Sequence, residues 1–204
     1  MKELEKTLIL LKNFLSQYVL ICNEKTNLLE KIVYEYSHKL HIDFSKETLK
    51  EFLGELKSKL NSENEFRAAF TNLGYSNHRE LYKEYNTSSK KACQHVLLEY
   101  ELFIANINDF SCTNFSIEHI KPDCEGGKAY LIGNMIPLLG NKNRNLAQKP
   151  YKDKISEYRK STFTSVKNFL DRYEGDDWVD AKIENRARHL ADRFFNEIWA
   201  MKVV

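Results

Sequence analysis

Glu118 and His119 stand side by side in this 204-residue chain, Gly126-Gly127 follows, and Asn143 comes 24 positions after the histidine. These residue types suit metal-assisted hydrolysis of a phosphodiester. An imidazole titrates close to neutral pH and can take a proton from water. A hard divalent ion such as Mg²⁺ or Mn²⁺ wants oxygen ligands, which Glu118 and the Asn143 side-chain carbonyl supply. The ion would neutralise charge developing on the phosphate and on the leaving oxygen. Residues so far apart in sequence need a fold that brings them together, and a strand-strand-helix hairpin does so.

The pattern around these residues predicts such a hairpin. Phe115 to Ile120 alternates as a short strand does, with Pro122 and Gly126-Gly127 as breakers. Leu131 to Leu139 is a second strand, and helix resumes at Asn141, with Pro150 interrupting it and Lys152 to Tyr173 continuous. Elsewhere the apolar residues recur at helical spacing. Residues 2 to 41 form one or two helices with a break near Asn23 to Asn27. Ser45 caps another, Phe66 to Gly74 is a short one, Ser88 to Asn106 is a strong one, and Trp178 to Lys202 closes the chain. The expected fold is mainly α, a helical body carrying a small ββα insert at about 115–155. A helical region at 1–62 precedes the domain at 63–204.

Composition agrees. Seven Gly and three Pro disfavour a turn-dense β fold, and 42% hydrophobic residues favour a folded core. No apolar run reaches the roughly 18–20 residues of a membrane span. The start lacks a secretory pattern, and four Cys without a Cys-x-x-Cys pair read as reduced thiols, so a cytoplasmic protein is expected. Net charge is only +2, yet Asn141 to Arg172 carries +6 and the remainder −4. That island fits a phosphate-binding surface, although a charge run taken alone is more commonly a solvated helix face.

The segment resembles the HNH nucleases of the ββα-metal fold through Glu118, His119, Ile120, Pro122, Gly126-Gly127, Asn134 and Asn143. Farther on, Leu138-Leu139, Lys149-Pro150-Tyr151, Lys154, Trp178, Ile183, Arg186 and Leu190 are similar to the C-terminal HNH domain of GmrSD-type restriction enzymes. The resemblance covers roughly 65–200. It implies a metal-dependent endonuclease cutting DNA in bacterial restriction or anti-phage defence. His119 would be the general base, Glu118 and Asn143 metal ligands, and Asn134 a residue holding the loop or the His119 ring, giving a catalytic set of His119, Asn134 and Glu118. Lys149, Lys154 and Arg186 would face phosphate or brace the site, with Lys142 and Arg144 of the basic island beside them. Asp123 stands where the family usually has Gln, and Gln148 where it often has Asn.

The alternatives are a non-cleaving nucleic-acid-binding or assembly subunit and an RNase toxin. Because the chain lacks the nucleotide-hydrolysing half of such enzymes, a separate ATPase or regulatory subunit is expected on the leucine-rich N-terminal helices. His38 and His41 could bind a transition metal, but no third ligand is near, so they read as solvent-facing. Cys112 and Cys124 read as buried, though a redox pair is conceivable; Trp178 and Trp199 read as core. Tyr151 and Tyr158 fit either base stacking or packing.

Overall fold

The computed structural model describes residues 2–85, 90–107, 114–140, 146, 148–175 and 177–202. The described residues are 66% helical with one small antiparallel sheet among them, so the mainly α fold expected from the sequence holds. Among the described residues the α-helices are α1 Lys2–Leu15, α2 Asn27–Ile42, α3 Lys46–Ser58, α4 Glu63–Thr71, α5 Lys90–Ala105, α6 Tyr151–Tyr158, α7 Thr164–Tyr173 and α8 Asp180–Arg193. Strands β1 Ser116–His119 and β2 Met135–Leu138 make the sheet. No helix among the described residues is long and apolar enough to cross a membrane.

Two compact units divide the chain. The first comprises Met1–Ala69 together with Asp192–Val204, and the second is Phe70–Ala191. The first unit thus takes in the chain's last residues as well as the region before the 62/63 boundary. Its core gathers Phe14, Tyr18, Leu29, Ile32, Tyr36, Phe52, Leu56 and Met201. The break between α1 and α2 falls where the polar run at 23–27 predicts it, and Asn23 adopts a left-handed backbone there, φ 54°. Ser45 caps α3 by accepting a hydrogen bond from the Thr48 N–H at 3.2 Å, which satisfies one of the donors a helix start leaves unpaired. On α1, Leu4, Leu8 and Leu15 stay exposed.

The second unit carries the sheet. Its core stacks aromatic rings at close range: Phe169 lies 4.9 Å from Trp178, edge to face, and Tyr173 lies 5.1 Å from the same indole. Edge-to-face pairs favour the ring quadrupoles, and both tryptophans are buried as the sequence predicts. The continuous helix expected over Lys152 to Tyr173 is instead two. The chain leaves α6 at Tyr158 and re-enters helix at Thr164. A non-local group makes the second start: the Glu101 carboxylate of α5 accepts from the N–H groups of Thr164 and Ser165 at 2.7 and 2.8 Å. An anion at a helix N-terminus complements both the free donors and the dipole. The second strand is also shorter than expected, with a single 3-10 turn at Ile132–Asn134 before it. Gly126 and Gly127 turn the chain between the strands at φ 74° and 62°, a region open to glycine at little cost.

Candidate active site

Strand β1 pairs with β2 so that Glu118 faces Ile136 and His119 faces Met135 in register. Successive residues of a strand point to opposite faces. Glu118 and His119 are adjacent, so their side chains part company, and their surroundings differ accordingly.

Glu118 faces the core and is 1% exposed. Its Oε1 accepts from Lys154 Nζ at 2.8 Å and from the Tyr158 hydroxyl at 2.9 Å. Lys154, itself 0% exposed, also donates to the His119 carbonyl at 2.6 Å. Burial pushes the Glu118 carboxyl upward, and the Lys154 ammonium and the Tyr158 hydroxyl draw it back. This is a buried ion pair with its hydrogen bonds satisfied, the form in which a charge tolerates a low-dielectric interior. With Oε1 engaged by Lys154 and Tyr158 and the side chain buried in the core, Glu118 is not presented as the metal ligand expected. Lys154 likewise is not placed to face phosphate; it braces β1. Tyr158 and Tyr151 are core residues rather than stacking platforms.

His119 lies at the end of β1 and is 8% exposed. Its Nε2 lies 2.8 Å from the Tyr75 carbonyl oxygen, and its ring stacks on the Tyr75 ring at 6.1 Å. A carbonyl only accepts, so Nε2 carries the proton and the neutral ring keeps its lone pair at Nδ1. Burial lowers the His119 pKa, opposed by the nearby Asp123 carboxylate and the Tyr75 carbonyl. The imidazole is therefore neutral at pH 7, the state a general base requires.

The loop that supplies Tyr75 is absent from the sequence-derived site. Gly74 bridges to Leu131, and Tyr75 N–H donates to Tyr130 O at 2.8 Å. A Cβ at Gly74 would crowd that Tyr130 oxygen, so glycine is required by close approach as well as by helix termination. Beyond it, Asp123 Oδ2 accepts from Ser76 Oγ at 2.7 Å and from the Asn77 N–H at 3.1 Å, and His78 Nε2 lies 3.7 Å from Asp123 Oδ1. The one signal in the sequence is the Tyr75-Ser76-Asn77-His78 run after Gly74, polar and aromatic where a plain turn would do.

Asn134, 0% exposed, uses its whole side chain. Its Oδ1 accepts from Lys121 N–H at 2.8 Å and from Trp178 Nε1 at 2.9 Å, and its Nδ2 donates to the carbonyls of Lys121 and Ala129 at 2.7 and 2.6 Å. It ties both ends of the interstrand connection, which is the loop-holding role expected, and it makes no bond to the His119 ring. It is a positioning residue and not a catalytic one. Asn134→Asp is expected to orphan the two carbonyls, each at about 1–3 kcal/mol, and urea unfolding monitored by tryptophan fluorescence reads the loss; an unchanged midpoint would contradict it.

Arg186 is also buried. Its Nη1 donates to Gly133 O at 2.7 Å and to Met135 O at 2.9 Å, and its guanidinium lies 5.4 Å from the Phe169 ring centre. Burial lowers its pKa to about 10, leaving it charged at neutral pH. It braces the entry to β2 and does not face phosphate. Gly133 lies against the same helix so closely that a Cβ would collide with the Ile183 carbonyl.

The basic island is partly neutralised by its own acids. Lys152 pairs with Asp177 at 2.8 Å, Lys160 with Glu157 at 2.5 Å, and Arg159 with Glu174. Such exposed pairs contribute little energy, but they dilute the field, and Lys149 remains the exposed candidate cation among the described ones proposed for phosphate. Lys142, Asn143 and Arg144 lie outside the described residues. Among the described residues no three His, Cys, Asp or Glu side chains group as a metal site; with Glu118 engaged by Lys154, they do not compose a cation cage. His38 and His41 are exposed, and Cys124 is an exposed free thiol rather than a buried one.

The sequence profile of the C-terminal domain of GmrSD restriction endonucleases matches residues 45–193. No curated protein and no solved structure matches the chain.

Proposed function

Because the chain belongs to the family of GmrSD restriction endonuclease C-terminal domains, we propose that it hydrolyses phosphodiester bonds of DNA as an HNH-type endonuclease, with His119 as the general base toward the attacking water. One observation carries the reading: Nε2 of His119 is held by the Tyr75 carbonyl at 2.8 Å, which leaves Nδ1 as the proton acceptor. In this reaction Nδ1 takes the proton as the water oxygen attacks phosphorus, and the leaving oxygen departs from phosphorus in line. Glu118, Lys154 and Tyr158 hold β1 still, and Asn134 and Arg186 hold the connection and β2 against it. Affinity is expected to come from phosphate contacts, which carry no sequence information, so selectivity is expected to be low.

Supercoiled plasmid, incubated with the full chain in Mg²⁺, in Mn²⁺ and in EDTA, tests the proposal. Nicking of the plasmid supports the activity, and the Mg²⁺, Mn²⁺ and EDTA arms together read whether it needs a cation. An intact plasmid in every arm would overturn the DNA reading, and a labelled RNA in parallel decides whether the substrate is RNA. The pH profile follows from the imidazole. Since burial lowers the His119 pKa beneath the ordinary 6.5, the midpoint of the acid limb of cleavage is expected below pH 6.5. An acid limb centred at or above 6.5 would contradict that environment for the base.

A further inference from the structure

We propose that Asp123 is a positioning residue for His119, acting through the Tyr75–His78 loop; the proposal rests on the reading of His119 as the general base. A chain of bonds carries it. Pro122 and the 3-10 turn Asp123–Glu125 fix the Asp123 backbone, and the hydroxyl of Tyr82, a core residue 2% exposed, donates to the Asp123 carbonyl. From that anchored position the carboxylate accepts two donors from consecutive residues, Ser76 Oγ at 2.7 Å and Asn77 N–H at 3.1 Å. Ser76 Oγ in turn accepts from the His78 N–H at 2.9 Å. The preceding carbonyl, that of Tyr75, is the one that receives Nε2–H of His119.

The loop is thus tied at both ends. On its amino side Tyr75 N–H is held by Tyr130 O. On its carboxyl side Asp123 provides the ties among the described residues. A peptide carbonyl can rotate away when the residues after it are loose, and His119 then loses the acceptor that selects its tautomer. Burial works against ionisation of Asp123, and His119, the two hydrogen bonds and His78 outweigh it, so the group stays a carboxylate at neutral pH. The geometry asks only for an oxygen that accepts twice, which an amide also offers. An asparagine therefore keeps the tie, and an alanine removes it.

The full chain, labelled with ¹⁵N-histidine, gives the His119 ring pattern in long-range ¹H–¹⁵N spectra, assigned by its absence in His119→Ala. The wild type is expected to show the Nε2-protonated pattern. Asp123→Ala is expected to shift that pattern toward the mixture of tautomers and to lower kcat for plasmid nicking by about 10- to 100-fold, the scale of a misplaced catalytic group, with KM changed less than about threefold. Asp123→Asn is expected to keep the pattern, and kcat within about threefold. Ser76→Ala, which removes one tie and spares the carboxylate, is expected to move both readouts in the same direction by less, and stands in should Asp123→Ala fail to fold. An unchanged ring pattern in folded Asp123→Ala overturns the proposal, and so does Asp123→Asn failing as badly as alanine, which would put the role in the charge. A wild-type protein that cuts no nucleic acid overturns the nuclease reading alone, since the spectra decide the role of Asp123 without any cleavage.

Discussion

Replacing His119 by alanine is expected to slow cleavage by about 10²- to 10⁴-fold, the usual worth of a positioned general base, while leaving the protein folded. The fold should survive because the ring carries little of it. The interaction that matters for packing uses the His119 backbone, whose carbonyl accepts from Lys154 Nζ at 2.6 Å, and alanine keeps that carbonyl. The ring itself contributes the Tyr75 contact and the stack on Tyr75. The Tyr75 loop remains tied by Tyr130 and Asp123. Plasmid nicking rates beside a circular dichroism spectrum check both halves of the expectation. If folded His119→Ala cuts as fast as the wild type, the proton acceptor is some other group and the site is misassigned.

Periodicity made the helical body legible, because buried faces repeat every three to four residues and the breaks fall at polar runs and at Ser45. The strand pair was legible too, and its consequence was available with it: a strand that buries Glu118 on one face cannot present it beside His119 on the other. The family resemblance pulled the two together where alternation separates them. Lys154 was left open between facing phosphate and bracing the site, and its position on α6 decides for the brace. Tyr151, Lys154 and Tyr158 recur at intervals of three and four on α6, and all three are buried. The helical stripe outweighed the charge because Glu118 waits beneath it. What no local pattern could reveal is contact at long range. Tyr75 meets His119 across 44 positions, and Glu101 starts α7 across 63. Neither sequence neighbourhood announces its partner, so the loop that orients the base and the break before α7 were both missed.

Lys154→Ala is expected to destabilise the second unit by about 3–5 kcal/mol, since removing one partner of a buried pair strands the other charge in the interior. Two acceptors lose the ammonium at once: Glu118 Oε1 keeps only the Tyr158 hydroxyl, and the His119 carbonyl loses its donor among the bonds described. The same residue read as a phosphate contact gives a different outcome, a stable protein with weaker DNA binding and a salt dependence of affinity reduced by about one. The two accounts separate cleanly in urea unfolding and in binding at several salt concentrations. Pairing the change with its partner sharpens the test. Glu118→Gln together with Lys154→Met replaces both charges with side chains of similar size, and a buried ion pair exchanged for neutral groups is often close to neutral in energy. The double variant is therefore expected to recover much of the stability that Lys154→Ala loses. Full stability in Lys154→Ala, with affinity for DNA reduced, would return the ammonium to the phosphate surface and remove the brace from β1.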